Sequence, residues 1–448
     1  MARHPIRLVV TDDLERNRWT VAFRLILAIP HLLWLGLFTF GVVLVNVINW
    51  FATLFKGQSP DGIHDLNRMY VRYATHVYAY LYFAASPWPS FSPNADYPVT
   101  VEVDPPARQN RWKTGFRLFL ALPAVLIASA LGGFGGFGGG GGSGRTGEEF
   151  HWWDLVLTFG TSAGVAAMVS LLAWWACLVT GRMPLGFRDL VAYSLRFAAQ
   201  LNAYFFLLTD RYPDADAFAG PAQPAPRHQP IRIAIDDDLR RSRLTVFFRF
   251  LLFLPHLVWL LLWGVAAFVV AVLNWFATLA MGRSPGAFHR FLARYLRYQT
   301  HVYAFVYVIA NPFPGFTGLP GSYPVDLEID PPEPQQRAVT LFRVFLAIPA
   351  LLVSSALGGL LLATAFFGWW VALFLGRMPL SLRNAGAFVL RYQAQVNGYA
   401  GFLLTERYPY SGPSERARPV FDELGPPPPP PTWGPWVPSP EPPPLASA

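Results

Sequence analysis

The sequence predicts an all-α integral membrane protein, a polytopic helical bundle of about eight crossings with a small extramembrane β layer of four short strands. Three observations carry that expectation. An Arg opens a run of about 31 mostly apolar residues, long and uncharged enough for a bilayer, and the chain writes this run four times, at Phe23–Pro60 and from Phe116, Phe248 and Phe342. Hydrophobic residues make up 53% of the 448 and charged residues 14%, against about 25% charged in an ordinary soluble domain. Each repeat also opens with a segment in which apolar residues alternate, the period of a strand with one covered face.

Those opening segments are HPIRLVVTDD, YPVTVEVDPP, QPIRIAIDDD and YPVDLEIDPP. Their polar faces carry Arg7 and Arg232 in the odd repeats and Glu102 and Glu328 in the even ones, so opposite charges are expected across paired strands. Four separate extended tails are the alternative. A bridging piece follows (LERNRWTVAFR in the first repeat), mixing basic and aromatic residues. It suits a helix entering through the head groups, with Arg24, Arg117, Arg249 and Arg343 as candidate lipid head-group anchors. Convergence of the four on an anion is the competing reading.

The apolar run is too long for one hydrocarbon crossing of about 30 Å and too short for two. Pro30, Pro123, Pro255 and Pro349 are expected to bend it, leaving an interfacial first part and a crossing of about 25 residues. In the second repeat a glycine-rich insertion, residues 132–150, splits the run and leaves its span count open, although Leu155–Thr180 is long enough to cross alone. After a Gly-x-x-Pro signal comes a second helix, expected to return across the bilayer. One of its faces is polar at steps of four: Arg72, His76 and Tyr80; Arg196, Gln200 and Tyr204; Arg297, His301 and Phe305; Arg391, Gln395 and Tyr399. This lane is expected to turn inward, since ionisable groups facing lipid are costly.

Repeat one is closest to repeat three (NWFATL in both) and repeat two to repeat four (LLTDRYP with LLTERYP), which implies a duplicated tandem pair. The first membrane unit is 1–213 (repeats 1–96 and 97–213), followed by a linker, 214–228. The second is 229–410 (repeats 229–322 and 323–410), followed by a Pro-rich tail, 411–448, expected to be disordered.

The net charge of +8 comes from residues that flank apolar runs, so the expected partner is a lipid bilayer with anionic lipids and not nucleic acid. Cys177, the single cysteine, excludes an intrachain disulfide. The His pairs His31 with His256 and His76 with His301 lack a third ligand, so no metal is expected. Gly133–Gly138 matches a dinucleotide fingerprint but follows a helical run and not a strand, so that context fails. No GxSxG or HExxH is present, and no paired-carboxylate motif lies in an apolar run; neither cofactor nor catalytic residues are expected, and the protein is read as a non-enzyme. The first residues lack the core of a secretory signal, so the first apolar run is expected to direct insertion.

The lane is the one constellation with functional content: an anion or lipid-head-group path, or helix-to-helix bonding. The expected function is a non-enzymatic membrane scaffold that docks protein partners through the strand layer or the Pro-rich tail. The alternative is a transporter or channel for an anionic solute or lipid. Positive charge on the strand side implies residence in the cell (cytoplasmic) membrane, multi-pass, with both termini cytoplasmic.

In FR-x₅-P, in the W-x₂-L-x₂-GR-x-P pattern from Trp370, and in LLTDRYP with its twin, the chain resembles a bacterial membrane family catalogued as domain of unknown function 4389. The resemblance runs from Pro5 to Pro409 in two tandem units and implies membrane residence.

Overall fold

The computed structural model describes residues 4–93, 96–132, 164–219 and 228–413. The glycine-rich insertion, the fingerprint match within it, most of the linker and nearly all of the Pro-rich tail lie outside these residues.

Repeat one consists of β1 (Ile6–Val10), a one-turn bridging helix α1 (Arg18–Ala22), a long helix α2 (Arg24–Lys56) and an inner helix α3 (Asp61–Leu81). Repeat two follows with β2 (Val99–Val103), α4 (Arg111–Gly115), α5 (Arg117–Ala130), α6 (Val165–Thr180) and α7 (Leu185–Phe205). Repeat three has β3 (Ile231–Ile235), α8 (Arg243–Phe247), α9 (Arg249–Met281) and α10 (Gly286–Val306). Repeat four has β4 (Val325–Ile329), α11 (Arg337–Leu375), in which bridging and long helices fuse, and α12 (Leu380–Val396). The prolines do not divide the runs; α2, α9 and α11 continue through Pro30, Pro255 and Pro349.

The strands form two antiparallel pairs, β1–β2 and β3–β4, so the β layer is two small sheets. Their registers set Arg7 opposite Glu102 and Arg232 opposite Glu328, and both pairs close as ion pairs, at 3.0 and 3.2 Å. Apolar alternation holds here because one face rests on the inner helices: β1 on α7, β2 on α3, β3 on α12 and β4 on α10. Each sheet thus straddles the two inner helices of its unit.

Buried positions on α2 are Arg24, Ala28, His31, Leu35, Val42, Asn46, Asn49 and Thr53. Steps of three, four and seven make one narrow seam toward α3. The remainder of the helix is exposed and apolar, including Leu33, Phe40 and Phe55. α3 reverses this balance. It carries Asp61, Asp65, Arg68 and Arg72, and its last two turns are almost wholly buried. Each long helix stops at a glycine in left-handed conformation, Gly57, Gly181, Gly282 or Gly376, which satisfies the helix end without a Cβ clash.

Eight crossings are not what the fold supports. Among the described residues three helices, α2, α9 and α11, are long and apolar enough to cross a membrane, which fits membrane association. The inner helices earned their place in the expected count through aromatic content, and protein, not lipid, covers it. The expected two-crossing hairpin also fails at its ends. It sets the Gly-x-x-Pro turns across the bilayer from the strands. In the structure each terminal glycine carbonyl accepts from the backbone just ahead of a bridging helix: Gly57 from Gln109, Gly181 from Arg16, Gly282 from Gln335 and Gly376 from Arg241, at 2.7–2.9 Å.

Ala215, Asp216 and Ala217, assigned to the linker, and Ser411, assigned to the tail, are buried. The loop after α7 reaches α12, where Asn384 donates to Asp216 at 2.7 Å, and Tyr410 after α12 donates back to Asp189 of α7. Tyr193 and Phe388, equivalent residues of the two units, meet edge to face between these exchanges at 5.8 Å.

Candidate functional site

The polar lane lies under the sheets. Arg72 points at the Val101 carbonyl at 3.4 Å, and His76 bonds Thr100 Oγ1 at 3.2 Å while stacking on Tyr97. In repeat three Arg297 donates to the Leu327 carbonyl at 2.9 Å, and His301 meets the Asp326 carboxylate at 2.8 Å. The even repeats place an amide where the odd ones have histidine. Gln200 donates to the Ile6 carbonyl at 3.2 Å and accepts from the Asp214 N–H at 2.8 Å; Gln395 does the same with Ile231 and Tyr410. Arg196 donates to the Asp216 carbonyl and Arg391 to those of Tyr410 and Gly412. These lane bonds therefore fasten strands and loops to helices.

Burial and neighbouring charge act on the lane in both odd repeats. Burial, helped by the Arg72 charge, pushes His76 down to about 4. Burial alone raises Asp326, yet the bond and charge of His301 and the N–H groups of Gly321 and Leu327 outweigh it and hold the carboxyl below its usual range.

Arg24, Arg117, Arg249 and Arg343 are placed inside the protein and not at head groups; each is at most 2% exposed. Each closes the end of its own repeat's inner helix. Arg24 Nη1 donates to the Tyr80 and Ala85 carbonyls, Arg117 to those of Tyr204 and Thr209, Arg249 to those of Phe305 and Ala310, and Arg343 to those of Tyr399 and Thr405. Every guanidinium also sits over an aromatic ring, at 4.4–4.9 Å from Tyr80, Tyr204, Phe305 and Tyr399. A cation serves here because the last carbonyls of a helix carry its negative end.

Sequence reasoning missed a second member of this socket. Arg16, Gln109, Arg241 and Gln335 donate to the carbonyls of Phe83, Leu207, Val308 and Leu403. These four acceptors share a left-handed backbone, with φ between 53° and 62°, costly for a residue with a Cβ. The signal was an Arg or Gln two positions before the Arg that opens each bridging helix. Repeat four has one extra residue, in NGYAGFLL against NAYFFLL. It is absorbed as a π-turn, Asn397–Gly401, which preserves the socket.

His31 and His256 lie beneath aromatic covers, Trp88 with Phe91 and Phe313 with Phe316, and bond Tyr73 and Tyr298 at 2.8 and 2.7 Å. Among the described residues no group of three His, Cys, Asp or Glu is placed to hold a metal ion. Cys177 is buried. An open hollow of about 480 Å³, lined by Asp13, Glu15, Asn17 and Arg182 among others, marks the junction of α1 with the end of α6.

Fold and site define a class: a four-repeat, mostly helical protein with apolar outer helices, held by buried arginine sockets. The chain belongs to the family described as a domain of unknown function (DUF4389), which matches four times, over residues 18–92, 156–215, 243–317 and 337–411. The matches fall once per repeat and leave the four strands outside. No curated protein and no solved structure matches the chain.

Proposed function

We propose that the protein is a non-enzymatic scaffold of the cell membrane that presents its two small β-sheets, with both termini, on the cytoplasmic side for a protein partner. The observation that supports this reading is the lane itself: its arginines and glutamines donate to backbone carbonyls of strands and loops. Each such bond occupies donors that an anion path would use. The two-stranded sheets also offer a partner a polar outer face carrying Arg7, Glu102 and Asp104.

Reconstitution into liposomes loaded with chloride or phosphate tests the reading. The scaffold predicts no protein-dependent flux. Flux that falls in an Arg297→Leu variant of unchanged melting temperature would establish the transporter alternative instead.

A further inference from the structure

Both ends of every long helix are fastened within its own unit. α2 ends at Gly57 against Gln109, just ahead of α4, and α6 ends at Gly181 against Arg16, just ahead of α1. α5 therefore begins near the end of α2, and α6 ends near its beginning. The antiparallel strands β1 and β2 leave their sheet in opposite directions, β1 toward α1 and β2 toward α4, so the sheet lies between these two ends, with Leu8 opposite Val101 at its centre. It rests on α3 and α7, which rest in turn on the long helices. Unit two repeats the arrangement through Gly282 with Gln335 and Gly376 with Arg241. Across the units inner helix meets inner helix at Tyr193 and Phe388, and α11 packs on α5 and α6. Inner helices thus meet inner helices and long helices meet long helices, and each sheet rests on the inner-helix side.

This order conflicts with crossing. A helix of 33 residues is about 50 Å long, and fitting it into about 30 Å of hydrocarbon needs a tilt above about 50°, beyond the range of about 0–40°. Crossing would also carry the sheet to mid-depth. Arg7, with its partners Glu102 and Asp104, would then enter hydrocarbon, where charged side chains are costly.

We propose that the long helices lie flat in a single leaflet, so that the protein is seated in one face of the bilayer with inner helices and sheets above it. This rests on the membrane reading given above. The apolar surface offered to acyl chains includes Leu33, Phe40 and Phe55 of α2 and Phe268 of α9. The bridging helices supply a rim suited to anionic head groups: Trp19 and Trp112 are 74% and 77% exposed, beside Arg18, Arg111 and Lys113.

Single cysteines at Arg18, Lys56, Arg111 and Arg182, in the full chain carrying Cys177→Ala, test this in sealed vesicles of opposite orientation with a membrane-impermeant maleimide. The proposal expects all four to react in the same orientation. Arg18→Cys and Lys56→Cys reacting in opposite orientations would overturn it while leaving membrane residence intact. Protein that stays in the supernatant after the membranes are sedimented overturns both. A nitroxide at Phe40→Cys adds depth, with a shallow position expected; a label at the bilayer midplane contradicts the seating.

Discussion

Odd and even repeats build the same socket from different chemistry. In the odd repeats Arg16 and Arg241 reach the inner-helix end while pairing with buried Asp12 and Asp237, at 2.6 and 2.8 Å. The even repeats use the neutral Gln109 and Gln335. Odd repeats seat histidine at positions 31 and 256, under their own aromatic loops; the equivalents are Ala124 and Ala350, both fully buried. The reason is position. Within its most apolar window α11 is 39% buried, against 22% for α2 and α9, because the even long helices meet each other at the centre. Close packing there favours small residues, whereas the peripheral odd repeats have room for rings and charges. The shared part, an arginine over a ring at a helix end, is therefore what the fold requires.

The largest expected effect falls on that shared part. Arg249→Met and Arg343→Met each strip two buried carbonyls of their donor, at about 1–3 kcal/mol apiece, and lose the ring contact. Losses of about 4–6 kcal/mol in detergent unfolding are expected for odd and even alike. Loss confined to the odd copy would break the comparison.

Arg16→Met comes next, because it leaves Asp12 buried and unpaired at a cost of about 3–5 kcal/mol. Gln109→Met should cost about 1–3 kcal/mol. Adding Asp12→Asn to Arg16→Met should recover most of the difference in the same unfolding assay.

A third effect is pH-dependent. Folded His76 is held down at about 4, so the unfolded chain binds the extra proton as pH falls from about 6.5 to 4. Its contribution is full above that window and is lost through it, by roughly 3 kcal/mol. Asp326, held low in repeat three, keeps its charge across the same window. Amide exchange should therefore accelerate in β2 and not in β4 as the pH falls. The even-type substitution His76→Gln should abolish the acceleration.

Smallest is Arg7→Ala on the outer face of the sheet, where an exposed pair contributes about 0–1 kcal/mol. A larger loss in thermal melting would mean that this face is not solvated.

The repeats, the strands and their cross-strand charges were legible because each is local or strictly periodic. The arginine sockets were partly so. Arg24, Arg249 and Arg343 each precede their ring by 56 residues, and Arg117 by 87, the excess being the insertion. Nothing in one repeat, however, says that an interfacial arginine turns inward. The crossing count misled because hydropathy measures length and apolarity but not what covers a residue. Tyr73, Tyr298 and Phe388 look suited to lipid, and each is completely buried in protein. The exchange between repeats was invisible, since Gly181 meeting Arg16 joins residues about as far apart as the unit allows.

That exchange is the central claim, and one crosslink tests it most directly. Glu15 and Arg182 face each other in an antiparallel bridge flanked by the Arg16–Gly181 and Met183–Leu14 hydrogen bonds. Such a pair has Cα atoms about 4.5 Å apart, within disulfide reach. Glu15→Cys with Arg182→Cys, in a Cys177→Ala chain kept in its membrane, should close an intrachain disulfide under mild oxidation and shift the band on a non-reducing gel. If each repeat crossed the bilayer twice these residues would stand on opposite sides, both thiols would remain free to react with maleimide, and the account would be contradicted.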